Sequence, residues 1–89
     1  MAHITAAQVE ARLRTALAPT RLAVHDDSAA HAGHAGAREG SHLRVEVESA
    51  RFAGLTRAAR HRLVYDALSD WMPHGIHALT LSVRAPGES

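Results

Sequence analysis

The spacing of apolar residues alternates along the chain between the period of a helix and the period of a strand. The order of these segments limits the fold more than any other feature. Val9, Leu13 and Leu17 recur every fourth residue, as one face of a helix requires. Residues 42–49 then alternate strictly between apolar and polar side chains, which predicts a strand with one solvent-exposed face. Helical spacing returns from Thr56 to about Trp71, and alternation returns in residues 76–84.

Local signals mark where these segments begin and end. Thr5 and Gln8 are spaced as a capping box at the start of the first helix, and Pro19 stops that helix. Residues 22–26 predict a short strand, and the stretch from Asp27 to Ser41 has no periodicity and joins it to the next strand. The predicted fold is α+β with the order α-β-β-α-β. Two amphipathic helices cover one face of a three-stranded sheet, and its first two strands are antiparallel.

Length and composition exclude several classes of protein. The 89 residues, 46% of them hydrophobic, predict one domain over residues 1–89 with a core of about residues 5–85. No apolar run approaches the roughly 20 residues that span a bilayer, and no signal-peptide pattern is present, so we expect a cytoplasmic protein. The sequence has no cysteine, which excludes disulfides, thiolate zinc sites and a catalytic thiol. Without a recognisable nucleophile–base pair, we do not expect an enzyme.

Histidine is the unusual component, with eight residues, and it offers the candidate metal ligands. His31 and His34 lie in the long loop, and His77 lies near the start of the last strand. Alternation alone puts His77 on the face of Leu79 and Leu81, which favours a buried, hydrogen-bonded ring. Loop histidines are more often solvated than metal-bound. A zinc site built from the loop histidines nevertheless remains an alternative, although zinc would need two further ligands.

Three segments together resemble the BolA family. They are residues 26–36, then Phe52-Ala53-Gly54-Leu55 leading into residues 60–65, and finally Gly75-Ile76-His77-Ala78-Leu79. With Gly40-Ser41-His42 before the second strand, the resemblance covers most of the chain. It implies a fold similar to class II KH domains, which agrees with the α-β-β-α-β order deduced from periodicity.

The resemblance also implies a partner and a cofactor. BolA-like proteins form heterodimers with monothiol glutaredoxins and share one [2Fe–2S] cluster, for which the glutaredoxin supplies a cysteine and glutathione supplies a thiol. The family's loop ligand matches His31, which follows Ser28-Ala29-Ala30, and its second ligand matches His77. His34 is the alternative loop ligand. The implied role is iron–sulfur cluster assembly, cluster trafficking or iron regulation, and no cluster is expected in the isolated chain.

A DNA-binding transcriptional regulator is the alternative function, since the resemblance also covers proteins regarded as regulators. The second helix, with Arg60, His61 and Arg62, would be its reading element. A formal net charge of +1 and only three aromatic residues favour a solvated edge or a partner-docking surface instead. We expect no membrane partner, and a homodimer is left open.

Overall fold

The computed structural model describes residues 4–27, 41–72 and 75–88, which form two helices and three strands. Helix α1 spans Ala6–Leu17, strand β1 spans Arg21–Asp26 and strand β2 spans Ser41–Glu48. A 3₁₀ turn, Ala50–Phe52, leads into helix α2, Arg57–Ala67, and strand β3 spans Ile76–Arg84. The predicted α-β-β-α-β order is confirmed. Within the described residues, neither helix is long and apolar enough to cross a membrane.

The central strand of the sheet is β2, which pairs on both sides. It runs antiparallel to β1, with Val24 opposite Val45, as predicted for neighbours joined by one loop. It runs parallel to β3, with Val45 opposite Leu81. Parallel neighbours require a crossover connection, and the 3₁₀ turn and α2 provide it. The chain therefore enters β2 and β3 at the same end of the sheet.

The capping box that the sequence predicts at the start of α1 is confirmed. The Thr5 hydroxyl accepts the amide of Gln8 at 3.2 Å, and the Gln8 side-chain oxygen accepts the amide of Thr5 at 2.9 Å. Two of the free amides that begin every helix are thereby satisfied. At the other end, Ala18 takes a left-handed conformation with φ of 45° directly before Pro19, which ends the helix.

Helix α2 is shorter than predicted, because it ends at Ala67 and not near Trp71. The amide of Leu68 donates to the carbonyls of Val64 at 3.2 Å and Tyr65 at 3.1 Å, which tightens the last turn. Trp71 continues the apolar spacing of the helix, but it lies in the turn that follows. Its partial burial comes from packing against the core, so the apolar pattern extends beyond the helix itself.

The core lies between the two helices and one face of the sheet, as predicted. It is formed by the apolar stripe of α1, the odd-numbered residues of β2 and the inner side of α2, with contributions from the turns and from β3. Its fully or nearly fully buried members are Val9, Leu13, Leu17, Leu43, Val45, Val47, Phe52, Val64, Leu68, Ile76 and Ala85.

Ser49 is the one buried polar residue that the described core contains. Its hydroxyl donates to the carbonyl of Leu17 at 2.6 Å, and it accepts the amide of Arg51 at 3.1 Å. One side chain therefore satisfies the Leu17 carbonyl at the carboxyl end of α1 and the Arg51 amide in the 3₁₀ turn. The bond ties the buried end of α1 to the end of β2.

We predict that Ser49→Ala lowers the free energy of unfolding by about 1–3 kcal/mol, because it leaves the buried Leu17 carbonyl without a partner. Urea denaturation followed by circular dichroism measures the change. Ser82→Ala is the matched control, since Ser82 is exposed on the open face of the sheet. Equal stabilities of the two variants would contradict the assignment.

Candidate metal-binding end of the sheet

The backbone of His77 lies at a β-bulge near the start of β3. Ser41 pairs with Ile76, but the next residue of β2, His42, pairs with Ala78, so His77 is the extra residue. Ile76 is fully buried. Strict alternation, which put His77 on the face of Leu79, does not continue through the bulge. Alternation therefore does not predict on which face His77 lies.

Both ends of the loop between β1 and β2 lie at this same end of the sheet. Asp26 pairs with Leu43, and the amide of Asp27 donates to the carbonyl of His42 at 2.7 Å. The chain leaves the sheet at Asp27 and returns at Ser41, which is the partner of Ile76. The candidate ligands His31 and His34 lie outside the described residues. Their segment is attached beside the backbone of His77.

Among the other histidines near this end, His25 has a local partner. Its Nε2 atom lies 2.9 Å from Oε2 of Glu46, and Arg44 contacts the same carboxylate at 3.2 Å. These partly exposed residues belong to the open face of the sheet. His42 is half-buried. Across residues 4–27, 41–72 and 75–88, no three histidine or acidic side chains are grouped closely enough to hold a metal ion.

The three residues proposed as a nucleic-acid reading element do not form a uniform exposed basic surface. The side chain of Arg60 is only 13% exposed, and its two terminal nitrogens bind the two carboxylate oxygens of Glu88, one of them at 2.7 Å. Its Nε also donates to the carbonyl of Leu55 at 3.0 Å. This bidentate pair holds Arg60 against the end of β3. His61 is half-buried, and Arg62 is exposed.

Glu88 is held in place by a turn that follows β3. The amide of Glu88 donates to the carbonyl of Ala85 at 3.2 Å, and Gly87 has φ of +87°, which favours glycine. The Glu88 carboxylate also accepts the amide of Ala85 at 3.0 Å. The hydrogen bond from Arg60 and the bond from the Ala85 amide lower the pKa of Glu88 to about 2.

An open groove of about 450 Å³ lies on the outer side of α2. It is lined by Leu55, Ala58, Ala59, Arg62, Leu63 and Asp66. Its polar groups are one guanidinium and one carboxylate, which do not provide a nucleophile beside a base. The groove therefore gives no support to catalysis.

The described geometry defines a small α+β domain with a mixed three-stranded sheet, helices on one face and a histidine at a bulge where two strands begin. A model of the BolA-like protein family matches residues 13–88. The chain belongs to the BolA family, which is not known as a family of enzymes.

Relatives and solved structures agree with this assignment. The chain is 42% identical over 83 residues to an uncharacterized Sinorhizobium protein of the cobS 5' region, covering 90% of this chain and 89% of that one. It is 39% identical over 82 residues to BolA-like protein 1 of Mus musculus, covering 92% of this chain but 58% of the mouse protein. The BolA domain of SufE1 from Arabidopsis thaliana superposes with a TM-score of 0.82 at 37% identity, and 94% of each chain is covered.

Sequence analysis missed two residues at this end of the sheet and one at the other. Ile4 packs directly on Gly75, a contact that the sequence pattern did not indicate. Glu88 pairs with Arg60 across 28 residues of sequence. Pro86 and Gly87 do signal a turn, but no local pattern indicates which guanidinium the following carboxylate binds.

We predict that the Glu88 carboxylate stays ionised from neutral pH down to about pH 3, since its pKa is about 2. Because this pKa is lower than that of an unfolded glutamate, the pair contributes its full stability above the unfolded pKa. That contribution is lost as the pH falls through about 2. Carboxyl ¹³C NMR titration measures the pKa directly.

The matched variants for this titration are Arg60→Gln and Arg62→Gln. The first should return the Glu88 pKa toward about 4.3, the ordinary glutamate value, and the second should leave it depressed. A wild-type Glu88 that titrates near the ordinary value would show that the bidentate pair does not form in solution.

Proposed function

We propose that this chain is a partner of a monothiol glutaredoxin and supplies two histidine ligands to a shared [2Fe–2S] cluster. One ligand is His77, and the other comes from the loop between β1 and β2, with His31 favoured over His34. The role we propose lies in iron–sulfur cluster assembly, cluster trafficking or iron regulation. The pairing of Ser41 with Ile76 carries the proposal, since it joins the end of that loop to the start of β3.

The donor chemistry fits half of such a site. A [2Fe–2S] cluster takes four ligands, and two imidazoles on one iron replace two thiolates in known centres. The chain has no cysteine and can therefore provide only the imidazole half. The remaining thiolates must come from another molecule, such as the glutaredoxin cysteine and glutathione. When bound, the cluster would provide an iron with a raised reduction potential.

The length of chain between the sheet and the loop histidines permits either assignment. His31 lies four residues after Asp27, so an extended chain carries it at most about 14 Å from there. His34 lies seven residues from both Asp27 and Ser41, which allows at most about 25 Å. Both distances are compatible with a site beside the start of β3. The match to the family favours His31, and mutagenesis must choose between the two.

We predict that His77→Ala makes the shared cluster labile. The free chain is mixed with a monothiol glutaredoxin, glutathione and iron–sulfur precursors, and the visible absorption and circular dichroism spectra are followed over time. The wild-type mixture should give a spectrum distinct from that of the glutaredoxin alone. The variant should lose that spectrum, because one iron loses a nitrogen ligand.

The matched control is His25→Ala, since His25 contacts Glu46 on the open face of the sheet. It should keep the wild-type spectrum. Of His31→Ala and His34→Ala, the variant with the less stable shared cluster identifies the loop ligand. An unchanged spectrum and lifetime in His77→Ala would contradict the ligand assignment.

A zinc site built by this chain alone predicts a different result. Purified protein would then contain stoichiometric zinc without any partner, and metal analysis of the free chain would detect it. Under the shared-cluster proposal the free chain carries no stoichiometric metal. In both cases acid should release the metal, because protons compete for imidazole nitrogen.

No contact among the described residues favours the nucleic-acid alternative, because Arg60 is bound to Glu88. That alternative remains a prediction with its own test. Affinity for duplex DNA should fall steeply with salt, and replacing Arg60 and Arg62 should remove that dependence. Affinity that does not depend on salt would contradict it.

A further inference from the structure

Gly75, which directly precedes β3, makes an unusually close contact with Ile4, two residues before α1. The amide of Ile4 donates to the carbonyl of Gly75 at 3.1 Å, and the Ile4 side chain lies on the glycine itself. A β-carbon on Gly75 would overlap Cγ1 of Ile4 and lie 2.9 Å from its Cδ1. Only glycine permits this approach, and Gly75 is buried.

The turn before Gly75 is fixed by a second set of contacts, some within the turn and some from α1. The carbonyl of Trp71 accepts the amides of Gly75 at 2.8 Å and Ile76 at 3.0 Å. The guanidinium of Arg12 lies 3.7 Å from the centre of the Trp71 ring, which is a cation–π contact. Arg12 also donates to the carbonyl of Ala67 at 3.3 Å. Residues on both sides of the α1 start therefore fix the position of Gly75.

The bulge makes the backbone at His77 depend on these contacts. Ile76 is fixed because it is fully buried and pairs with Ser41, and Ala78 is fixed because it pairs with His42. His77, between them, has no partner in the register of the sheet. Its backbone geometry is therefore set by the residues on its two sides, and on the amino-terminal side Gly75 makes the closest contact with a residue outside the sheet.

We propose that the Ile4–Gly75 contact positions His77 for metal ligation, which makes Ile4 and Gly75 positioning residues. This inference rests on the proposed function. A methyl group on residue 75 moves the start of β3 away from α1, and with it the bulge that carries His77. The identity of the ligand stays the same, but its place relative to the partner's thiolates changes.

The test is a double-mutant cycle with Gly75→Ala, Ile4→Ala and the double variant. Gly75→Ala should shorten the lifetime of the shared cluster about tenfold and shift its visible circular dichroism, as loss of an orienting contact around a metal ligand does. The double variant should restore both, because the new methyl group occupies space that the Ile4 side chain leaves. In the free chain, backbone ¹⁵N and ¹³Cα shifts of residues 76–78 should follow the same pattern.

A control separates positioning from lost stability. Val64→Ala removes buried volume from α2, and it should lower the free energy of unfolding without altering the spectrum or lifetime of the cluster. If Gly75→Ala does not fold, Ile4→Ala and the double variant still test whether the Ile4–Gly75 contact positions His77. Ile4→Ala should shift the cluster spectrum, and the double variant should match wild type.

The two proposals fail in different ways. A wild-type mixture that forms no mixed cluster overturns the proposed function, and the inference with it. A wild-type mixed cluster whose spectrum and lifetime are unchanged in Gly75→Ala and Ile4→Ala overturns the inference alone.

Discussion

The parallel pairing of β2 with β3 is the constraint on which the rest of the molecule depends. It forces the chain to cross over through the 3₁₀ turn and α2 and to re-enter the sheet beside Ser41. An antiparallel β3 would start at the opposite end, beside Glu48. The long loop and the last strand meet only because the crossover returns the chain to its starting end. The hydrophobic core supports this geometry, since Phe52, Val64 and Leu68 of the crossover are fully buried.

Helix α1 has a second function beyond covering the sheet. Ile4, just before the N-cap of α1, contacts the start of β3, and Arg12 of α1 holds the turn that precedes that strand. The carboxyl end of α1 is tied to the end of β2 by the buried Ser49 hydroxyl. The helix and the residues that lead into it therefore fix the sheet at two opposite ends. Under the proposed function, a ligand on such a framework would be preorganised, so less conformational freedom would be lost on metal binding.

The sequence was sufficient to predict those features that depend on neighbouring residues. The Thr5 capping box, the alternation of β2 and the extent of β3 over residues 76–84 follow from local chemistry, and the structure has all three. The end of α2 was predicted wrongly, because Trp71 keeps the helical spacing while packing from a turn. A pattern of burial does not distinguish a helix from a turn that buries the same face.

The remaining features depend on contacts between residues distant in sequence. No local pattern predicts that Ile4 reaches Gly75, or that a bulge falls between Ile76 and Ala78. Periodicity alone therefore argued against a ligand at His77, and only the resemblance to BolA proteins favoured one. The bulge removes that conflict, because alternation carries no information across an extra residue. The resemblance and the backbone register are then consistent.

The two functions considered for this chain would use opposite ends of β3. His77 lies at its start, and the Arg60–Glu88 pair lies beside Ala85, just beyond its end. Eight residues separate His77 from Ala85, which is about 26 Å along a strand. Substitutions at sites so far apart, without shared partners, have additive effects. A change in DNA affinity on replacing Arg60 therefore says nothing about the ligands, and loss of the cluster in His77→Ala says nothing about DNA. Each function has to be tested at its own end of the strand.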